Sequence, residues 1–183
     1  LTIIGNDFSL EQKQEVPIPE IDFDINYNED FAPINKLITE KLSVDNSKGI
    51  VLLHGKAGTG KTTYIRYLIN SINKKIIYIP PSMANSLANP ELIKFLMNNS
   101  NSILVIEDAE NVLMKRSENS SEAIANILNL TDGLLSDCAN IQVVATFNTD
   151  LLNIDEALLR KGRLIARYEF KELEEDRVLK LCE

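Results

Sequence analysis

The sequence predicts an α/β fold built around a mainly parallel sheet, on three observations. Short apolar runs alternate along the chain with segments whose apolar residues recur at the helical period. Two of these runs, ILVI at 103–106 and IQVVAT at 141–146, read as continuous, which is typical of strands buried on both faces of a parallel sheet. Polar clusters follow these runs, at the strand ends where ligands bind in open α/β sheets.

Five of the apolar runs are predicted strands, at 50–54, 75–79, 103–106, 141–146 and 164–170. Apolar spacing predicts helices over 31–42 and 62–72. Asn89 followed by Pro90 and Glu91 predicts a helix start, because Asn caps, Pro suits the first turn and an acid suits the positive dipole end. Ser121 is the predicted cap of a further helix, and a last helix is expected over 172–183.

Composition narrows the functional classes. The 183 residues carry a net charge of −8, and eight acids against one lysine fall within residues 1–30. The rest of the chain is close to neutral, so it lacks the basic stripe of a nucleic-acid binder. Cys138 and Cys182 are too few for a disulfide framework and are expected to be free thiols in a reducing cytosol. No apolar run approaches bilayer-spanning length, so we expect a cytoplasmic protein with no membrane segment.

The segment 55–62, GKAGTGKT, matches the phosphate-binding pattern G-x-x-x-x-G-K-[ST] between a predicted strand and a predicted helix. Glycines let the loop curl so that backbone N–H groups point at a phosphate, and the following helix adds its dipole. Lys61 is expected to reach the β- and γ-phosphates and the Thr62 hydroxyl to bind Mg²⁺. The candidate ATP-binding residues are Gly55, Ala57, Gly58, Thr59, Gly60, Lys61, Thr62 and Thr63.

Two acids, Glu107 and Asp108, end the third predicted strand. Parallel-sheet geometry can bring this strand end beside the phosphate loop. Glu107 then becomes the second candidate metal residue, through the water shell of Mg²⁺, and Asp108 the candidate base for an attacking water. An acidic turn after a buried strand is the plainer interpretation, and the neighbouring phosphate loop argues against it.

Together these motifs resemble the AAA+ ATPases, and within them the AAA clade, over roughly residues 25–175. Asn148 matches sensor 1, the segment 155–163 (DEALLRKGR) is similar to the clade's arginine-finger segment, and 131–133 (TDG) matches the end of the preceding helix. The resemblance implies a P-loop NTPase sandwich with a five-stranded sheet, Mg-ATP as ligand, and a ring, hexameric in the complete protein. It assigns Asn148 to the γ-phosphate, and Arg160 and Arg163 to the nucleotide of a neighbouring subunit.

The order Glu107-Asp108 departs from the clade's Asp-Glu order. It resembles the order found in the mitochondrial AAA translocases that move the folded Rieske iron–sulfur protein. The loop 82–89 occupies the place of pore loop 1 but has no aromatic residue, which argues against peptide threading by aromatic side chains. By position in the family, adenine recognition is expected near residues 25–28. The resemblance divides the chain into an acidic lead-in (1–24), a nucleotide-binding domain (25–171) and the start of a largely missing helical lid (172–183).

The favoured function is an ATP-hydrolysing motor domain that remodels or translocates an unidentified protein partner. Two alternatives stay open. The Glu-Asp order suits a nucleotide-gated switch or scaffold that binds ATP with little hydrolysis. A small-molecule kinase could use the same loop, although no acceptor pocket or arginine-rich lid is visible in the sequence.

Overall fold

A computed structural model of the chain describes residues 2–4, 10–13, 17–113, 118–132, 135–149 and 154–182. The strands are β1 (Thr2–Ile4), β2 (Leu10–Lys13), β3 (Gly49–Gly55), β4 (Lys75–Ile79), β5 (Ser102–Ile106), β6 (Gln142–Phe147) and β7 (Leu164–Phe170). The helices are α1 (Phe23–Asn26), α2 (Phe31–Leu42), α3 (Lys61–Ser71), α4 (Pro90–Met97), α5 (Glu110–Leu113), α6 (Glu118–Asp132), α7 (Ser136–Ala139) and α8 (Glu175–Cys182). Two 3₁₀ helices, Pro81–Ala88 and Glu156–Leu159, complete the elements of the described residues.

The five predicted strands are confirmed as β3 to β7, and they pair in parallel in the order β4-β5-β6-β3-β7. The acidic lead-in extends this sheet: β1 joins β4 in parallel, and β2 pairs with β1 in antiparallel fashion. The register aligns Ile106 with Ala145 and His54 with Phe147. The carboxyl ends of β3, β5 and β6 therefore lie at one edge, where the predicted polar residues meet.

Helices cover both faces of the sheet and form the three predicted layers. One apolar cluster packs alternate strand residues such as Leu52 and Leu104 against α4 and α6, and it includes Leu92 and Ile127. The other cluster packs the opposite strand faces against α2 and α3. It is rich in aromatic rings: Phe31 lies 4.7 Å from Tyr64 and 5.0 Å from Phe170, measured between ring centroids. Strands β3, β5 and β6 are buried along their whole length and on both faces, as continuous apolar sequences require.

The structure corrects three local expectations and adds one element that was not predicted. The helix expected to begin after Ser121 starts at Glu118, so Ser121 is inside α6 rather than its cap. The predicted loop 82–89 is mostly a 3₁₀ helix, closed by Asn89. The last helix begins at Glu175 rather than at residue 172. The short helix α1 follows Asp22, whose side chain accepts a hydrogen bond from Asp24 N, and the sequence analysis did not predict it.

Other local predictions are confirmed. The Asn89 side chain accepts a hydrogen bond from Glu91 N at 2.9 Å, so Asn89 is the predicted cap of α4. Helix α2 has the predicted bounds, and both cysteines are free and exposed. Gly133, the last residue of the 131–133 match, lies outside the described residues.

Candidate active site

The loop between β3 and α3 has the backbone that phosphate binding needs. Gly55, Gly58 and Gly60 all have positive φ angles, of 142°, 84° and 91°. A Cβ on Gly55 would lie 2.1 Å from the Phe170 carbonyl oxygen, so only glycine fits between β3 and β7. Gly60 precedes the first turn of α3 and lies close to the Tyr27 ring, where a Cβ would meet the ring at 3.1 Å. The loop is therefore shaped by glycine at both of its ends.

A cavity of about 380 Å³ lies between this loop and the ends of β5 and β6. Eight of its lining residues were predicted to bind nucleotide or to act in catalysis, and Thr146 was not predicted: Ala57, Gly58, Gly60, Lys61, Thr62, Thr63, Asp108, Thr146 and Asn148. Residues from three separate segments of the sequence thus meet at one site, as the sequence analysis expected. Among the predicted loop residues, Gly55 and Thr59 line adjoining cavities instead.

Lys61 is buried, and its ammonium group lies folded over the loop. Its Nζ donates hydrogen bonds to the carbonyl oxygens of Gly55 and Lys56, each at 2.7 Å. Burial lowers the pKa of Lys61, and the nearby carboxylates of Asp108 and Glu110 oppose that shift. The two loop carbonyls therefore hold the Lys61 ammonium group, which has to leave them to bind a phosphate.

Glu107 lies at the end of β5 and is held from two sides. The Thr62 hydroxyl donates to Glu107 Oε1 at 2.7 Å, which joins the start of α3 to the end of β5. The Tyr78 hydroxyl, from the neighbouring strand β4, donates to Oε2 at 2.9 Å. Burial and the bond to Glu107 raise the pKa of Tyr78, so its phenol stays protonated and keeps donating. Tyr78 was missed in the sequence analysis, because nothing within β4 indicates its partner.

Asp108 adopts a left-handed conformation, with φ of 52°. Its backbone N–H donates to Thr146 Oγ1 at 3.1 Å, and Ala109 N donates to the Thr146 carbonyl at 2.8 Å. These bonds tie the turn after β5 to the neighbouring strand β6. The Asp108 carboxylate in turn accepts a hydrogen bond from Asn148 Nδ2 at 2.7 Å. The predicted base and the predicted γ-phosphate sensor are therefore in direct contact.

Glu110, two residues after Asp108, was also missed as a site residue. Its Oε1 lies 3.3 Å from the same Asn148 nitrogen, as a second acceptor. The only signal in the sequence was a third acid just after the Glu107-Asp108 pair.

The two predicted arginine fingers lie in different surroundings. Arg160 follows the 3₁₀ helix Glu156–Leu159, is exposed, and makes no side-chain hydrogen bond or ion pair within the described part of the chain. Arg163 is only 15% exposed and donates from Nε and Nη2 to Asp132 Oδ2, both at 2.6 Å. Its Nη1 also donates to the Ala157 carbonyl at 2.9 Å. Arg163 thus anchors the segment that carries Arg160, within its own subunit.

These contacts agree with the comparisons with known proteins. Residues 51–172 match the family described as "ATPase family associated with various cellular activities (AAA)". The chain belongs to this AAA family. AAA-ATPase At3g50940 of Arabidopsis thaliana is 33% identical over 124 residues, which are 62% of this chain and 27% of that protein. Protein HYPER-SENSITIVITY-RELATED 4 of the same plant is 30% identical over 130 residues, 62% of this chain and 22% of its own length.

An archaeal relative, Protein SAV of Sulfolobus acidocaldarius, is 32% identical over 143 residues, which are 72% of this chain and 18% of that protein. The AAA chain spans about a quarter of the length of the plant relatives. Within the residues that the structure describes, no helix combines the length and apolar character that crossing a membrane requires.

A second cavity of the AAA domain, of about 490 Å³, also borders the phosphate loop. Tyr27 forms part of its wall and donates from its hydroxyl to the Gly60 carbonyl at 3.1 Å, and burial raises the pKa of Tyr27 to about 12. The buried Asn28 amide donates to the Glu172 carbonyl at 3.0 Å and accepts from Glu174 N at 3.1 Å. Asn28 therefore ties the segment before α2 to the segment after β7, beside the nucleotide loop.

Proposed function

We propose that the protein is an ATP-hydrolysing motor of the AAA family that works as a ring oligomer. One observation carries the proposal: the Thr62–Glu107 and Asn148–Asp108 hydrogen bonds, both of 2.7 Å, meet beside the phosphate loop. Their residues come from the start of α3, from the turn after β5 and from the end of β6. Phosphate binding alone requires the loop and the lysine. It does not require a carboxylate that is hydrogen-bonded to an amide.

The residues present fit Mg²⁺. The Thr62 hydroxyl and the Glu107 carboxylate are adjacent oxygen donors, which is the ligand chemistry that Mg²⁺ prefers. No cluster of three or more His, Cys, Asp or Glu side chains suited to a metal occurs within the described residues. A magnesium ion held largely by phosphates and water needs only one or two protein ligands, so this finding agrees with the proposal. When bound, the ion would neutralise charge on the β- and γ-phosphate oxygens.

The chain's own residues then have distinct tasks in hydrolysis. Lys61 turns from the loop carbonyls to the phosphates, and Asn148 contacts the γ-phosphate. Asp108 accepts a proton from a water molecule as the water oxygen bonds to the γ-phosphorus. The bond from that phosphorus to the β–γ bridging oxygen breaks, and its electron pair leaves with ADP. The adenine base is proposed to occupy the 490 Å³ cavity beside Tyr27, near the predicted residues 25–28.

The exposed position of Arg160 supports the proposed ring. Its exposed guanidinium can complete the site of a neighbouring subunit, because a planar cation stabilises the charge that spreads over the phosphoryl oxygens. Arg163 contributes by holding that segment through Asp132. Its direct contact with a neighbour's nucleotide stays a prediction.

The substrate is proposed to be a protein that is moved folded rather than threaded as a peptide, as the resemblance to the Rieske-protein translocase suggests. Two sequence features support this proposal: the Glu107-Asp108 order, and the absence of any aromatic residue from Pro81–Ala88.

A complementation experiment tests both hydrolysis and the ring. Arg160→Ala should lower the turnover number about 10³-fold and leave ATP affinity nearly unchanged, because an arginine finger acts in the transition state. Arg66→Ala, at an exposed arginine of α3, is the matched control and should keep wild-type turnover. Mixing Arg160→Ala subunits with Asp108→Ala subunits should restore activity, since roughly a quarter of sites would combine an intact base with a neighbour's intact arginine.

The refuting results are specific. Unchanged turnover in Arg160→Ala would show that Arg160 has no role in the active site of a neighbouring subunit. Mixed subunits that recover no activity would indicate that Arg160 acts in the active site of its own subunit. Tight ATP binding by the wild-type protein without hydrolysis at any protein concentration would favour the nucleotide-gated switch.

A further inference from the structure

The amide of Asn148 is shared between two carboxylates. Its Nδ2 atom lies 2.7 Å from Asp108 Oδ1 and 3.3 Å from Glu110 Oε1. An amide nitrogen carries two hydrogens, so it can serve both acceptors at once or shift between them. In the structure the shorter contact is to Asp108.

The Glu110 carboxylate can accept more hydrogen bonds than the described residues donate to it. Its Oε2 is buried and has no hydrogen-bond partner among the residues that the structure describes. A buried polar atom without a partner is uncommon in folded proteins and calls for a donor. Glu110 also lies near Lys61, because it and Asp108 are the two carboxylates that raise the pKa of Lys61 against the effect of burial.

The shorter contact restricts Asp108 as a base without blocking it, because it engages one of the two carboxylate oxygens. A base must offer a free lone pair to water in hydrogen-bond reach, and the Asn148 N–H occupies one oxygen of Asp108. If the amide left Asp108 with no other acceptor nearby, its N–H would lose a charge-assisted hydrogen bond. Glu110 removes that cost, since its carboxylate is already within 3.3 Å of the same nitrogen.

We propose that Glu110 is a positioning residue that accepts the Asn148 amide when ATP is bound, so that Asp108 is released to take a proton from water. This inference rests on the proposed ATP hydrolysis. Glu110 contacts neither phosphate nor water in this scheme, and it acts only through Asn148.

The test compares Glu110→Ala, Glu110→Gln and Asn148→Ala in the intact protein, with turnover, ATP affinity and thermal midpoint measured for each. Glu110→Ala should lower the turnover number about tenfold, as expected for one lost hydrogen bond to a charged group, with ATP affinity within about threefold of wild type. Glu110→Gln keeps an acceptor oxygen and should recover most of the turnover. Glu91→Ala is the matched control, since Glu91 and Glu110 are both acids in the first turn of a helix, and Glu91 is exposed whereas Glu110 is half-buried.

A double-mutant cycle separates positioning from a general structural effect. Because Glu110 acts through Asn148, adding Glu110→Ala to Asn148→Ala should cause no further loss of turnover. Additive losses, wild-type turnover in Glu110→Ala, or a Gln variant no better than the Ala variant would overturn the inference while leaving ATP hydrolysis established. A wild-type protein that binds ATP without hydrolysing it would overturn the proposed function, and this inference with it.

Discussion

The ion pair between Asp132 and Arg163 should be a principal support of the arginine-bearing segment, and Asp132→Ala tests this. Arg163 is 15% exposed and directs Nε and Nη2 to one carboxylate oxygen of Asp132, both at 2.6 Å. Its remaining bond goes to the Ala157 carbonyl, only three residues from Arg160. Removing the Asp132 carboxylate leaves a mostly buried guanidinium with a single acceptor.

The size of the effect follows from burial. Leaving a buried charged donor unsatisfied costs about 1–3 kcal/mol, and the 47% exposure of Asp132 places the expected loss near the middle of that range, at about 2 kcal/mol. For a chain of this length each kcal/mol lowers the unfolding midpoint by roughly 2–4 °C, so Asp132→Ala should melt about 4–8 °C lower than wild type.

Asp137→Ala is the matched control. Asp137 pairs with Lys48 at 2.6 Å, but both side chains are more exposed, at 73% and 38%. Exposed pairs contribute about 1 kcal/mol or less, so the control should lose less than about 4 °C. The two variants thus compare the same chemical change at two degrees of burial.

The assay is thermal unfolding followed by circular dichroism without nucleotide, because bound ATP would add its own stabilisation. Turnover and ATP affinity are then measured below the melting range. Asp132→Ala should lose turnover and keep ATP affinity, since the displaced segment carries Arg160 but contributes no lining residue to the 380 Å³ cavity. Equal melting losses in the two variants, or a smaller loss in Asp132→Ala, would refute the reasoning.

Two further predictions concern the phosphate loop and the base. Gly55→Ala should destabilise the fold by at least about 3 kcal/mol, because its Cβ would lie 2.1 Å from the Phe170 carbonyl, whereas Gly58→Ala meets nothing within 4 Å and should cost only about 1–2 kcal/mol of backbone strain. Urea unfolding without nucleotide compares them, and equal costs would contradict the steric argument. Asp108→Glu should change turnover by no more than about threefold, a small shift in barrier, if Asp108 already serves as the base. A gain above about tenfold would show an impaired base and favour the nucleotide-gated switch.

Much of the fold could be predicted from the sequence because its signals are local. The continuous apolar runs predicted β3 to β7, and the spacing from Phe31 to Leu42 predicted α2 to the residue. Boundaries failed where side-chain chemistry suggested a cap that the chain did not use, as at Ser121 in α6. The 3₁₀ helix Pro81–Ala88 also escaped prediction, because short helical turns carry little periodicity.

The candidate site was predictable where a motif carries its own geometry. The phosphate loop is such a motif, because its glycines, its lysine and the following helix start are contiguous in the chain. Asp108 was assigned from its position at a strand end and Asn148 by resemblance, and the structure adds that they share a hydrogen bond. The contacts of Tyr78 and Glu110 escaped prediction, because each joins separate strands or loops through a single side chain.

The sequence alone determined that this chain is a phosphate-binding α/β domain with acids at a strand end, since each of these properties is encoded within a few consecutive residues. Tertiary structure decided the strand order, the burial of Lys61 over its own loop, and the different surroundings of Arg160 and Arg163. The physical reason is distance along the chain. Asp132 meets Arg163 across 31 residues and Asn148 meets Asp108 across 40, so only the packing of the sheet and its helices determines which polar groups become partners.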